Sequence, residues 1–513
     1  MRRDKKSLLN FSTSMLYKVA TMAIGIILPK LFITTYGSEI NGLQSSVNQI
    51  FTYIALLEAG VGTATLQSLF KPIAEKDYNK ANEYLSATTK YYNKIGCIYF
   101  VILFLMATVY PLVVEVEGVS YWTVFGFIVM SGALSGINFF YLAKLKLLIS
   151  AVGDVYVVSV LTLLIYISSS ICKIVLIMMN ANIVVVQGMF LTINILFTVI
   201  YYIIAKKKYP WLNFKATPDF SCVEQKNSVM VHKISGLIFQ NVDILLLTFL
   251  CDLKIVSIYT MYKLVVNMIT TVISTFGESF NFVLGQTFNT EKAEDKPNYC
   301  KIIDTFNVFY SAVAFALFSV LFLLILPFMR LYTAGMDINY IIPALPYFYL
   351  VIEFLTVGRE AMLRTIEVAG HFRKTQWKAV AEAAINLVSS IIAIIICKNY
   401  FGEIGGLYGA LIGTIFSMIY RSVDINLYAN RKILKRKSTK TFKTMLVNSL
   451  LFVGVIIFNK FSNIQADNDI QFFIIGAILS VSILSIFMLV QLVINPKEAK
   501  TLASYVKKRI KKI

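Results

Sequence analysis

Fourteen long apolar stretches follow one another between Leu9 and Val493, separated by short polar segments. A helix needs about 20 mostly apolar residues to cross a bilayer, because nothing there except its own backbone can satisfy its hydrogen bonds. The pattern predicts an all-α polytopic membrane protein of about 14 transmembrane helices. The spans are expected near 9–35, 40–70, 95–114, 121–147, 155–178, 183–205, 229–250, 255–288, 302–328, 340–368, 377–397, 405–428, 442–459 and 469–494.

Composition supports this reading, with 57% hydrophobic and only 15% charged residues. A net charge of +20 would suggest nucleic acid in a soluble protein, so its placement decides. The cations cluster at the amino terminus, on every second loop (Lys71–Lys94, Lys144 and Lys146, Lys206–Lys215, Lys292–Lys301, Arg373–Lys378, Arg431–Lys443) and in the tail after Lys497. The intervening loops carry few: Lys254, Arg330, Lys398 and Lys460, beside acids such as Glu115, Glu117, Asp467 and Asp469. The positive-inside rule then places both termini in the cytoplasm, as an even number of spans requires. The charge reads as topology and contact with anionic membrane lipids, with no nucleic-acid partner.

Several chemistries find no support. The basic, then apolar, amino terminus lacks a small-residue cleavage site and reads as a retained first span. The six cysteines are scattered without metal-ligand spacing, and His232 and His371 stand alone, so neither a metal nor another cofactor is expected. There is no nucleotide-binding glycine loop, and any transport must draw on a gradient or on a partner.

The longest cytoplasmic loop, 206–228, divides spans one to six (1–205) from seven to twelve (229–430). Spans thirteen and fourteen (431–494) and a basic tail (495–513) follow. At an offset near 215, Lys18 falls on Lys233, Ile40 on Ile255, Gly42 on Ser257 and Leu43 on Ile258. Near 217, Gly153-Asp154 falls on Gly370-His371. Both halves start on one side, so the repeat is parallel, the arrangement of carriers that bind substrate between two lobes near the midplane.

Three segments carry a resemblance. They are Tyr36-Gly37-Ser38-Glu39-Ile40-Asn41-Gly42-Leu43 with Leu57-Glu58-Ala59-Gly60-Val61-Gly62-Thr63-Ala64, then Asn241–Leu247 with Val256-Ser257-Ile258-Tyr259, and Gly405–Ala410. With the 6+6+2 layout, they make the chain similar to the polysaccharide (O-antigen repeat-unit) flippases of the multidrug/oligosaccharidyl-lipid/polysaccharide exporter superfamily. Ser257 departs from the family's usual glycine. The resemblance implies a V-shaped pair of lobes in a bacterial cytoplasmic (inner) membrane. It implies that these move an undecaprenyl-diphosphate-linked oligosaccharide between leaflets for polysaccharide or lipopolysaccharide biosynthesis, with a polysaccharide polymerase as a partner.

The residues can be asked separately whether they suit such a cargo. Charges inside spans are costly and usually face a cavity or one another. On span eight, Lys263, Asn267, Thr270, Ser274 and Glu278 fall within about 80° at roughly 100° per residue. Span ten carries Glu353, Arg359, Glu360, Arg364 and Glu367, with Glu360 and Arg364 at pairing distance. Spans one, two and seven add Ser14, Lys18, Gln44, Asn48, Glu58, Lys233, Gln240 and Asp243. Lys18, Lys233, Lys263, Arg359 and Arg364 are the candidates for the substrate pathway, with Arg359 and Lys263 first for a diphosphate. Lys18 and Lys233 have a second reading as side chains that snorkel to headgroups, and Arg364 with Glu367 as a structural gate pair. Glu58, Asp243, Glu278, Glu353 and Glu360 are candidates for proton or sodium coupling, unless a fixed ion pair removes that role.

Gly405, Gly409 and Gly413 form a small-residue face expected to pack helices closely. Tyr121, Trp122, Tyr332, Tyr340, Tyr347 and Tyr400 read as an interfacial belt, and the lysine-rich tail as an amphipathic anchor. No outer loop is long enough to house a polymerase or glycosyltransferase site, so the chain is not expected to be an enzyme. The alternative to the flippase is a cation-coupled multidrug or metabolite antiporter of the same superfamily.

Overall fold

The computed structural model describes residues 3–58, 61–223, 241–278, 280–291, 296–462, 464–465 and 468–510. Among them the regular structure is helical: α1 (Arg3–Tyr36), α2 (Ser38–Ile54), α3 (Val61–Glu75), α4 (Tyr78–Val113), α5 (Tyr121–Ile137), α6 (Ala143–Ala151), α7 (Val155–Met178) and α8 (Ile183–Lys208). A short apolar helix α9 (Asn241–Leu250) follows. Then come α10 (Leu253–Glu278), α11 (Asn281–Thr290), α12 (Pro297–Tyr332), α13 (Leu345–Val368), α14 (Phe372–Tyr428), α15 (Thr439–Ser462), α16 (Asp469–Ile494) and α17 (Pro496–Ile510). The chain divides into two compact units, Met1–Ser257 and Ile258–Ile513.

Ten helices among the described residues are long and apolar enough to cross a membrane, making this a multi-pass membrane protein. Four of the fourteen expected stretches account for the difference. The second is broken, the seventh is described only from Asn241, and the tenth, α13, carries five charged side chains. The eleventh and twelfth run together in α14, whose single break is at Gly402 (φ 65°, ψ −153°), a conformation that costs glycine little. Span boundaries also move: α4 starts at Tyr78, well before the apolar run at 95, because its first turns lie beside the loop after α8.

Polar residues set the ends. Asp77, Ser120, Asn182 and Asn468 accept hydrogen bonds from the first free backbone N–H groups of α4, α5, α8 and α16. Gly153 and Gly370, paired by the internal repeat, both take positive φ (80° and 67°) directly after α6 and α13.

In the first unit, α1 packs on α7, α4 on α5 and α7 on α8, around Val47, Tyr92, Tyr99, Leu103 and Phe127. The loop after α8 is stapled to the start of α4. Asn82 donates to the Trp211 carbonyl (2.9 Å) and accepts from the Asn213 amide (2.9 Å), while Trp211 stacks on Tyr78 at 4.5 Å. Lys80 bridges Glu83 (2.9 Å) and Asp219 (2.7 Å). The Lys80 hydrogen bond is the main reason the Asp219 pKa falls to about 2.

The second unit is organised around α12, which packs against α13, α15, α16 and α17 and is buried on all sides. Glycine spacing works on α14 as expected. A Cβ at Gly409 would lie 2.4 Å from the Ile394 nitrogen, and one at Gly413 2.3 Å from Ser390 Oγ, so the two arms of α14 meet backbone to backbone. The belt reading needs one correction: Tyr340 is wholly buried and Tyr332 nearly so, whereas Trp122 and Tyr400 are exposed. The buried Tyr340 carbonyl accepts from the Tyr262 hydroxyl at 3.0 Å, which ties it into the unit's core. The tail helix α17 is held by Lys440, which bridges Asp304 (2.8 Å) and Glu498 (2.5 Å).

Candidate functional site

Both units interrupt their second long stretch near a glutamate. In the first, α2 tightens into a 3₁₀ turn, Ala55–Glu58, before the chain restarts as α3 at Val61. In the second, α10 ends at Glu278 and α11 starts at Asn281. An interrupted helix frees backbone groups inside the membrane, which is tolerated where they face protein or a polar cavity.

Glu58 accepts a hydrogen bond from the buried Tyr92 hydroxyl (2.9 Å), and its charge acts on Lys146 of α6. Glu278 is exposed at the end of its helix. Asp243, on α9, is 4% exposed and acts electrostatically on Tyr53. Lys18 is exposed on α1, and Lys233 and Gln240 lie outside the described residues.

In the second unit the stripe on α10 is open rather than packed: Lys263, Thr270 and Ser274 are half-buried, Asn267 and Glu278 exposed. The Lys263 ammonium lies 3.4 Å from the Tyr259 hydroxyl and 5.3 Å from that ring's centre. Glu353 approaches Thr270 Oγ1 at 3.5 Å and feels the charges of both Lys263 and Arg359. It also lines a small cavity with Val266, Phe318 and Tyr349. Lys263, Glu353 and Arg359 therefore form one electrostatic group across α10 and α13.

Arg359 has a fixed partner that sequence reasoning missed. Its Nη1 meets Glu382 Oε1 at 2.5 Å, and the other Glu382 oxygen meets Arg421 Nε at 3.1 Å. Arg421 continues to Asp424 (2.9 Å), which also takes Lys378. Three cations thus share two carboxylates, a formal excess of one positive charge. Lys378 lies over the Tyr428 ring, whose hydroxyl is 3.1 Å from His371 Nδ1. Partial burial, and then Lys374, hold the His371 pKa below its ordinary value. The rule that selected Arg359, a charge well inside a span, selects Glu382, Arg421 and Asp424 equally when applied to spans eleven and twelve.

Glu360 and Arg364 pair at 2.7 Å, as their spacing anticipates. Arg364 is buried, donates to Asn281 Oδ1 and lies 5.5 Å from the Phe306 ring centre. Its contacts tie α13 to α11 and α12. Two further embedded charges escaped the sequence reading. Lys173 on α7 sits 4.0 Å over the Phe190 ring, and Asp304 on α12 takes both Arg436 Nη atoms at 3.0 and 2.7 Å. Chemically, Lys263 offers an ammonium beside Tyr259, and Arg359 a guanidinium paired with Glu382.

No protein-family model and no curated protein matches the sequence. Solved structures do match by fold. A multidrug resistance MATE family transporter of the MOP superfamily, in an inward-facing conformation, aligns with TM-score 0.61 at 14% identity, covering 83% of this chain and 98% of that one. The lipid II flippase MurJ, in an inward closed conformation, aligns with TM-score 0.58 at 15% identity, covering 93% and 99%. The chain therefore shares the fold of these two solved structures, one a multidrug resistance transporter and the other a lipid II flippase.

Proposed function

We propose that this protein is a flippase that carries an undecaprenyl-diphosphate-linked oligosaccharide across a bacterial inner membrane by alternating access, for O-antigen or another surface polysaccharide. The observation that supports it most is the electrostatic group of Lys263, Glu353 and Arg359 on adjacent membrane-embedded helices. A diphosphate is a forked, multiply charged anion, so it is matched by one guanidinium with planar donors and one ammonium acting as a point charge. Arg359 is already held by Glu382, so the cargo must compete with that carboxylate. Binding then leaves Glu382 to Arg421, which already holds its other oxygen at 3.1 Å. The fold it shares with a lipid II flippase over 93% of its length is compatible with this cargo class.

The second reading, a cation-coupled drug or metabolite antiporter, is favoured by Asp243, an acid buried in an apolar helix and suited to a cationic ligand or an ion. Proton or sodium coupling through Glu58, Asp243, Glu278, Glu353 or Glu360 belongs to either reading. Both termini in the cytoplasm and a polymerase acting on the flipped product complete the flippase proposal.

Deletion in the host, with lipid-linked oligosaccharide quantified by leaflet, tests it. Complete units should accumulate on the inner side and surface polymer should vanish, with rescue by wild type but not by Arg359→Ala or Lys263→Ala. Normal surface polysaccharide without any lipid-linked intermediate would overturn the proposal.

A further inference from the structure

A groove of about 820 Å³ opens where α14 ends and α15 begins, on the side of the second unit that carries the basic loops. Arg431, Lys437 and Lys443 line it together with Leu427, Phe442 and Leu446. The three cations are exposed, and among the described residues none makes an ion pair. The neighbouring cleft is different: there Asp304 and Glu498 neutralise Arg436 and Lys440. Among the described residues no acid lines the groove.

Two apolar rails lead away from these charges. Lys443, Leu446 and Leu450 recur at helical spacing along α15, with both leucines exposed to about 60%. Phe416, Tyr420, Val423 and Leu427 do the same along α14, with the first three exposed. Each rail runs from a cation into the apolar part of its helix, so one ligand following both would be anionic at one end and hydrocarbon beyond. The backbone adds to the polar end, because α15 begins in the groove at Thr439 and its first N–H groups have no partner within the helix.

We infer that this groove is a binding site for an anionic phospholipid, its phosphate held by Arg431, Lys437 and Lys443 and its acyl chains lying on the exposed faces of α14 and α15. A free phosphate would use the charges but leave the rails empty, and the groove greatly exceeds one phosphate in volume. Basic pockets between membrane helices select anionic headgroups by the same physics. Neither Lys263 nor Arg359 lines the groove, and the inference does not depend on what the protein transports.

The test is lipid binding to the purified full-length protein in neutral detergent, read by native mass spectrometry while titrating phosphatidylglycerol or phosphatidylcholine. Wild type should retain phosphatidylglycerol in preference to phosphatidylcholine. The triple variant Arg431→Gln, Lys437→Gln, Lys443→Gln should lose that preference by roughly tenfold or more. An equal change of charge elsewhere, Lys206→Gln, Lys207→Gln, Lys215→Gln, should leave it within about twofold of wild type. Leu446→Asn keeps all three cations and should weaken lipid retention without changing the effect of added inorganic phosphate. Equal losses in the two triple variants, an unchanged preference in the first, or complete displacement of lipid by millimolar phosphate would each overturn the inference.

Discussion

Removing the Glu382 carboxylate gives the sharpest consequence of the charge chain in the second unit. In Glu382→Ala, Arg359 loses its 2.5 Å carboxylate partner, while Arg421 keeps Asp424 at 2.9 Å. A largely buried ion pair is broken on one side, a change that costs about 3–5 kcal/mol. Arg359→Ala is milder, because Glu382 retains Arg421 at 3.1 Å. Its cost is that of one charged hydrogen bond, about 1.5–3 kcal/mol. The double variant removes both members of the pair together, so it should cost less than the sum of the singles by about 1–3 kcal/mol. Equilibrium unfolding of the four proteins in mixed micelles measures this cycle. Strict additivity, or Arg359→Ala as harmful as Glu382→Ala, would refute the shared-carboxylate account.

Further expectations are independent of that cycle. Gly409→Val pushes a side chain into the Ala393–Ile394 backbone, where even a Cβ meets atoms at 2.4–2.5 Å. Its yield of folded, monodisperse protein should collapse, while Gly454→Val, with open space around its Cβ, should behave as wild type in the same chromatographic assay. The Asp219–Lys80 bridge should not respond to pH in the physiological range. The folded Asp219 pKa, about 2, lies below the unfolded value of about 3.9, so its contribution is complete above the latter and is lost as pH falls toward 2. Protease sensitivity of the 206–223 loop should therefore be flat from about pH 5 to 8, and a step in that window would contradict the assignment. Glu58→Gln preserves an acceptor for the Tyr92 hydroxyl, so melting should shift little. If Glu58 couples an ion, transport should fall at least about tenfold, with recovery in Glu58→Asp; unchanged transport would assign Glu58 to packing alone.

The sequence made helices legible because crossing a bilayer imposes a long apolar run on each one. It did not reveal which of them are buried. The most apolar 18-residue stretches of α12 and α16 have the same mean hydropathy, yet 78% of the first stretch is buried and 11% of the second. Lipid and protein interior present the same solvent to a leucine, so only the polar residues of α12, Asp304, Asn307, Ser311 and Ser319, mark it as the core helix. Tyr332 and Tyr340 misled for a related reason: a tyrosine near a span end suits either the interface or a core with a carbonyl to bind. Local pairing was readable, as Glu360 with Arg364 shows. Arg359 with Glu382 and Arg421 was not, because those partners are 23 and 62 positions away and helical spacing says nothing across helices. The interruptions near Glu58 and Glu278 were hidden within stretches whose apolar character continues on both sides.

The most direct test of the central claim is flipping by the purified protein in liposomes that carry a labelled undecaprenyl-diphosphate oligosaccharide, with leaflet exposure followed by an enzyme that acts only on the outer face. The account predicts exchange that depends on the protein, is abolished by Arg359→Ala and Lys263→Ala, and is inhibited by a soluble diphosphate analogue. Exchange no faster than in empty liposomes, together with accumulation of an organic cation by the same vesicles, would contradict it and establish the antiporter reading instead.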